Sequence, residues 1–199
     1  MSELASIKHI DLGIHFDYMR SQIPNRQMTQ EAAQRFQRCR ARIAIISERP
    51  DAAMFYFSIF LTKDEKGKLV KDSKTTDIRA YNDEMLRVRE YQEMLGSRFF
   101  LFAGLEQPSL DSILPLLKQR GYTYYPEQTT LLAYGEWLDA CVSAWSRHIK
   151  RTMGLNEMNC GFDPKLSLSF NSDELRLKRD KDLYGDKLKN FLSNPFSFR

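Results

Sequence analysis

The stretch YTYYPEQTTLLAYGEWLDACVSAWSRHIKR, residues 122–151, decides how the chain is built. Its first part, 122–134, is dense in aromatic and β-branched residues, side chains that fit a pleated, half-buried surface, and 127–134 reads as a strand. At Gly135 the period changes. Trp137, Cys141, Ala144, Trp145 and His148 or Ile149 share one face of a helix over 136–153, which closes on the basic run Arg147-His148-Ile149-Lys150-Arg151. A strand passing straight into an amphipathic helix predicts an α+β chain.

Nearer the N-terminus, IKHIDLGIHF at 7–16 alternates, with Ile10, Leu12, Ile14 and Phe16 on one side and His9, Asp11 and His15 on the other, the pattern of a half-buried strand. The run MFYFSIFL within 51–64 is continuously apolar and fits a buried helix or a buried strand equally. KDEKGKLVKDSKTT at 63–76 reads as a polar, solvated loop. A helix over 76–95 carries Ile78, Tyr81, Met85, Val88 and Leu95 at helical spacing and stops at Gly96. RFFLFA at 98–103 reads as a short strand, 109–120 as a helix, LSLSF at 166–170 as a further strand, and 173–194 as a charged helix before an aromatic tail. The expectation is one domain over 1–199, mainly helical, with short strands.

Charge is unevenly spread. Residues 20–49 hold seven arginines against two glutamates, a local +5 in a chain whose formal total is +4. With Thr29 as N-cap and Pro50-Asp51 as the stop, this segment predicts a helix. On it Arg35, Arg38, Arg42 and Arg49 fall within about 60° of arc, beside an apolar stripe of Ala32, Phe36, Cys39, Ile43 and Ile46. Guanidiniums so arranged suit phosphate oxygens, which they bind bidentately. The same face serves equally as a solvated helix surface.

A chain of 199 residues, 42% hydrophobic and 28% charged, is long and apolar enough to bury a core, which excludes a disordered class. Three cysteines without CxxC spacing predict thiols, and the N-terminus shows no basic segment leading into an apolar run; a cytoplasmic protein is expected. His9 and His15 lie about 20 Å apart along an extended strand, too far to share an ion. Cys141 and His148, two helical turns or about 10 Å apart, are too distant for a thiolate pair, so Cys141 reads as a packed side chain. Glycine-rich phosphate loops, HExxH, GxSxG and kinase patterns are absent. Neither metal nor cofactor is expected, and a binding protein is expected rather than an enzyme.

The phrases IDLGIHFDYM at 10–19, ERPDAAMFYF at 48–57 and TTLLAYGEWLDACVSAWSRHIKR at 129–151 run in an order that resembles the AcaB-like transcriptional regulators of conjugative plasmids and their relatives in integrating conjugative elements. Residues 154–172 depart from that pattern. The resemblance implies a homodimeric, cytoplasmic regulator of conjugative transfer that binds double-stranded DNA. It also implies a strand–helix–helix unit within 122–194, similar to ribbon-helix-helix proteins, whose strand pairs with that of a second copy to enter a major groove. No functional residue carries over by motif, so the site residues follow from charge and periodicity. Arg35, Arg38 and Arg42 are expected to neutralise phosphates, Arg147, Lys150 and Arg151 to form a second backbone clamp, and Gln128 and Thr130 to reach base edges. Two alternatives remain open: a structural or interaction subunit of a nucleoprotein or conjugation assembly that binds RNA or an acidic protein, and a nucleic-acid-processing enzyme whose site has no sequence signature.

Overall fold

The computed structural model describes residues 4–22, 28–136 and 141–168. In chain order the strands are β1 (Ala5–Ile7), β2 (His9–Ile14), β3 (Ala52–Ser58), β4 (Leu61–Lys63), β5 (Leu69–Lys71), β6 (Phe99–Ala103), β7 (Tyr122–Tyr124), β8 (Thr130–Gly135) and β9 (Cys160–Phe162). The helices are α1 (Tyr18–Gln22), α2 (Gln30–Ser47), α3 (Ile78–Leu95), α4 (Leu110–Gln119) and α5 (Ser143–Met153). The chain therefore carries both helices and strands, as expected, but the strands of the main sheet are all parallel, in the order β6-β3-β2-β8-β9. From β2 the chain steps one way to β3 and β6, then returns to the far side of β2 for β8 and β9.

Side-chain alternation assigns the two faces. Ile10, Leu12, Ile14, Ala53, Phe55, Phe57, Leu131 and Ala133 pack with Ile113 and Leu117 of α4 and with Trp145, Ile149 and Met153 of α5. Met54, Tyr56, Phe99 and Tyr134 face the other way and pack with Cys39, Ile43 and Ile46 of α2 and with Val88, Tyr91 and Leu95 of α3. Helices on both faces of a parallel sheet give a doubly wound α/β layer, and they explain why the run at 54–61 is continuously apolar: β3 is buried on both sides.

Local chemistry sets the helix ends. The Thr29 hydroxyl accepts from Ala32 N at 3.1 Å to open α2, and Asp77 accepts from Ala80 N at 2.9 Å to open α3. Gly96 and Gly154, both at positive φ, end α3 and α5. Arg98 donates to the carbonyls of Ile46, Ser47, Arg49 and Ala52, tying the end of α2 to the start of β3.

Two expectations change. Residues 130–135 are not an exposed ribbon strand: β8 is hydrogen-bonded to β2 on one side and β9 on the other, so its edges are occupied within its own sheet. The polar connector at 63–76 contains a hairpin, β4 against β5, closed at Gly67 with positive φ. Helix α5 runs Ser143–Met153 and continues from helical residues Cys141 and Val142; residues 137–140 of the expected helix over 136–153 lie outside the described residues. Leu168 makes a single bridge to Glu136 in the expected 166–170 strand; residues 169–199, with the expected charged helix and tail, lie outside the described residues, as does Trp137.

Candidate active site

In a doubly wound sheet the crevice forms where strand order reverses, outside the carboxyl ends of the two strands that diverge. Here that place lies between β2 and β8, at Ile14-His15-Phe16-Asp17 and Gly135-Glu136. His15, Asp17, Arg35, Ser58, Glu84 and Glu136 are all buried around it.

His15 is the one non-glycine residue at positive φ among the described residues, 48°. Continued alternation would put Phe16 beside Ile14 on the α4/α5 face. The left-handed residue reverses this. Phe16 instead meets Tyr56 and Tyr134 on the α2/α3 face, while the His15 ring stands edge-on to Trp145 of α5 at 5.8 Å. His15 Nε2 lies 2.6 Å from the Gly104 carbonyl, so Nε2 carries the hydrogen and donates it, leaving Nδ1 as a bare acceptor, buried and without a partner. Burial lowers the imidazole pKa to about 4, so the ring is neutral at pH 7. Backbone outliers of this kind cluster at functional sites, and this one sits at the switch point.

Asp17, directly beyond, is ion-paired with Arg20 at 3.4 Å and with Arg87 of α3, while Arg20 also reaches Asp83 at 2.7 Å. Deeper on the α3 side, Tyr56 and Ser58 donate to the Glu84 carboxylate, yet burial, reinforced by nearby Glu136, still raises its pKa to about 7. Burial lowers the Arg87 pKa to about 10, partly offset by Glu136.

Two glycines let backbones meet at this edge. A Cβ on Gly135, at φ 150°, would fall 2.0 Å from the Ile14 carbonyl oxygen, and one on Gly104 would fall 2.4 Å from that of Ser58. Cys141 stands partly buried in the helical residues before α5, four residues before Trp145. The three cysteines differ in setting. Burial pushes the Cys39 thiol up to about 12 and also raises Cys160, which places both in inert surroundings. Cys141 differs from both in standing in the helical residues that lead into α5.

The arginine-rich segment is largely spent on the fold. Arg35 is fully buried and donates to the Phe16 carbonyl at 2.7 Å. Arg42 makes a two-point contact with buried Asp11, both bonds 2.8 Å, and Tyr134 adds a third bond to that carboxylate at 3.0 Å. Arg38 is exposed and donates to the Lys165 carbonyl at 2.7 Å. Thr130 bonds His9 Nδ1 at 2.7 Å at the opposite, amino edge of the sheet, and Gln128 is exposed in the loop before it. Arg147 and Arg151 are exposed on α5, and Lys150 pairs with Glu157 at 2.6 Å. The structure thus brings together none of these groups with Gln128 or Thr130. The residues it sets at the switch point, His15 and Asp17, were missed because their placement depends on strand order. Among the described residues no three His, Cys, Asp or Glu side chains form a group arranged to hold a metal ion, and no helix is long and apolar enough to cross a membrane.

Comparison with protein-family models, with curated proteins and with solved structures gave no match.

Proposed function

We propose that the protein is a thiol-dependent hydrolase working at the crevice between β2 and β8. The observation that carries this reading is the strained, buried His15 at the switch point, with a bare Nδ1 and its ring against Trp145, four residues after Cys141. Cys141 sulfur attacks a carbonyl carbon, its proton passing to neutral His15; the bond to the leaving amine or alcohol breaks as that proton returns to it. Water then cleaves the thioester, releasing the acid and restoring the thiol. Asp17, two residues further along the chain, is held in place by Arg20 and Arg87.

The test is hydrolysis of a panel of small esters and amides by the purified chain. Turnover that disappears in Cys141→Ser and falls in His15→Asn supports the reading; turnover unchanged in Cys141→Ser, or none on any substrate, counts against it.

A second reading keeps the homodimeric DNA-binding regulator of conjugative transfer. It is supported by Arg147 and Arg151, exposed one turn apart on α5, together with exposed Arg38. With β8 already paired on both edges, this reading rests on the helix surface rather than on a ribbon. A gel shift across salt on duplex DNA and on RNA separates it from the hydrolase: salt-sensitive duplex binding that weakens in Arg147→Ala/Arg151→Ala favours the regulator, and shape-dependent RNA binding favours a nucleoprotein subunit.

A further inference from the structure

Arg35 is among the largest side chains buried completely in this protein, and its environment is incomplete. Of the five guanidinium N–H donors, those on Nε and Nη1 have no partner; only Nη2 is bonded, to the Phe16 carbonyl at 2.7 Å. The remaining contacts are aromatic: the guanidinium carbon lies 4.5 Å from the Phe36 ring centre and 5.1 Å from that of Phe16. A second guanidinium, Arg87, lies 4.1 Å from the same Phe36 ring, and its Nε is also buried without a partner. Asp17 answers Arg87 and Arg20, whereas among the described residues no carboxylate is bonded to Arg35.

A buried cation and a largely buried one against one ring, with unanswered donors on both, are costly as they stand. A planar oxyanion relieves that cost, because its oxygens accept from several guanidinium donors at once. The position also fits a substrate: the carbonyl that anchors Arg35 belongs to Phe16, the residue between His15 and Asp17. We propose that Arg35 and Arg87, framed by Phe36, form a subsite for an oxyanion group, carboxylate or phosphate, carried by the substrate. This rests on the hydrolase reading for its meaning, since it makes the substrate anionic and sets its charged end on the α2/α3 side of His15. The subsite itself is testable without turnover.

The experiment is calorimetric titration of the full chain with inorganic phosphate and, separately, with acetate, at constant ionic strength in chloride. Saturable binding of either ion is expected, weakened by about tenfold or more in Arg35→Gln and in Arg87→Gln, and retained in Cys141→Ser. Phosphate binding alone marks a phosphate-bearing substrate, and acetate binding alone marks a carboxylate. If neither ion binds saturably, or if a folded Arg35→Gln binds as the parent does, the subsite is overturned; should Arg35→Gln fail to fold, Arg87→Gln decides by the same criterion. Anion binding that survives while turnover is absent from the parent chain sinks the hydrolase reading and leaves the subsite standing, and the converse result does the reverse.

Discussion

At the scale of single residues, His15 and Asp11 show how buried charge is managed. His15 is held neutral, its pKa lowered to about 4 by burial against 6.5 when exposed. Between those values the unfolded chain binds a proton that the folded chain refuses, so folding stability falls as pH drops from 6.5 towards 4, by roughly 3 kcal/mol for this group. Asparagine tolerates positive φ and can still donate to Gly104. Urea unfolding of His15→Asn at pH 7 and pH 4.5 is therefore expected to show a smaller acid loss than the parent, and equal losses would contradict a buried neutral imidazole. Asp11 takes the opposite course and stays paired, with Arg42 bound at two points and the Tyr134 hydroxyl at a third. Removing one member of a buried pair costs about 3–5 kcal/mol, reduced here because Arg42 is partly exposed. Arg42→Ala should lower the thermal midpoint by several degrees, whereas an arginine reserved for phosphate would leave it unchanged.

At the scale of elements, the strands at 9–14 and 99–103 and the helices at 78–95 and 110–119 were legible from period and capping residues, because those signals are local, while the apolar run at 54–61 left helix and strand open until its burial on both faces decided it. Two elements were less legible. The Lys-rich segment at 63–76 reads as loop, yet Leu61 and Leu69-Val70 supply enough apolar surface for a hairpin whose turn is set by Gly67 and Asp64. β8 was read as a strand, but its neighbours were not: which strands flank it depends on contacts more than a hundred residues apart, as with His9 and Thr130. The β2–β8 pairing carries its own test. Alanine at Gly135 puts a methyl 2.0 Å from the Ile14 carbonyl oxygen at a φ that disfavours side chains, so the strands must separate at the carboxyl edge. Gly135→Ala should destabilise severely, while Gly96→Ala, where a Cβ meets nothing within 4 Å, pays only the smaller cost of its positive φ. Comparable thermal midpoints for the two variants would show that the close approach is absent.

At the scale of the whole molecule, the sequence shows a high density of arginine but not where each one ends: Arg35 inside, Arg42 on Asp11, Arg38 at the surface. The helical period placed all three on one face, since it reports direction around an axis and not what packs there. The candidate site was least legible. His15 looks like the polar side of a strand until the return of β8 beside β2 sets it at the switch point, and Cys141 reads as a packed residue on an amphipathic helix, which carries no sign of the strand order. The central claim is that this crevice holds a reactive thiol, and its most direct test is iodoacetamide labelling of the native chain at pH 7, with each cysteine quantified by mass spectrometry over time. The account predicts that Cys141 is alkylated first and faster than a small-molecule thiol, while buried Cys39 and the raised-pKa Cys160 lag far behind. Alkylation of Cys141 no faster than that of Cys160 would contradict it.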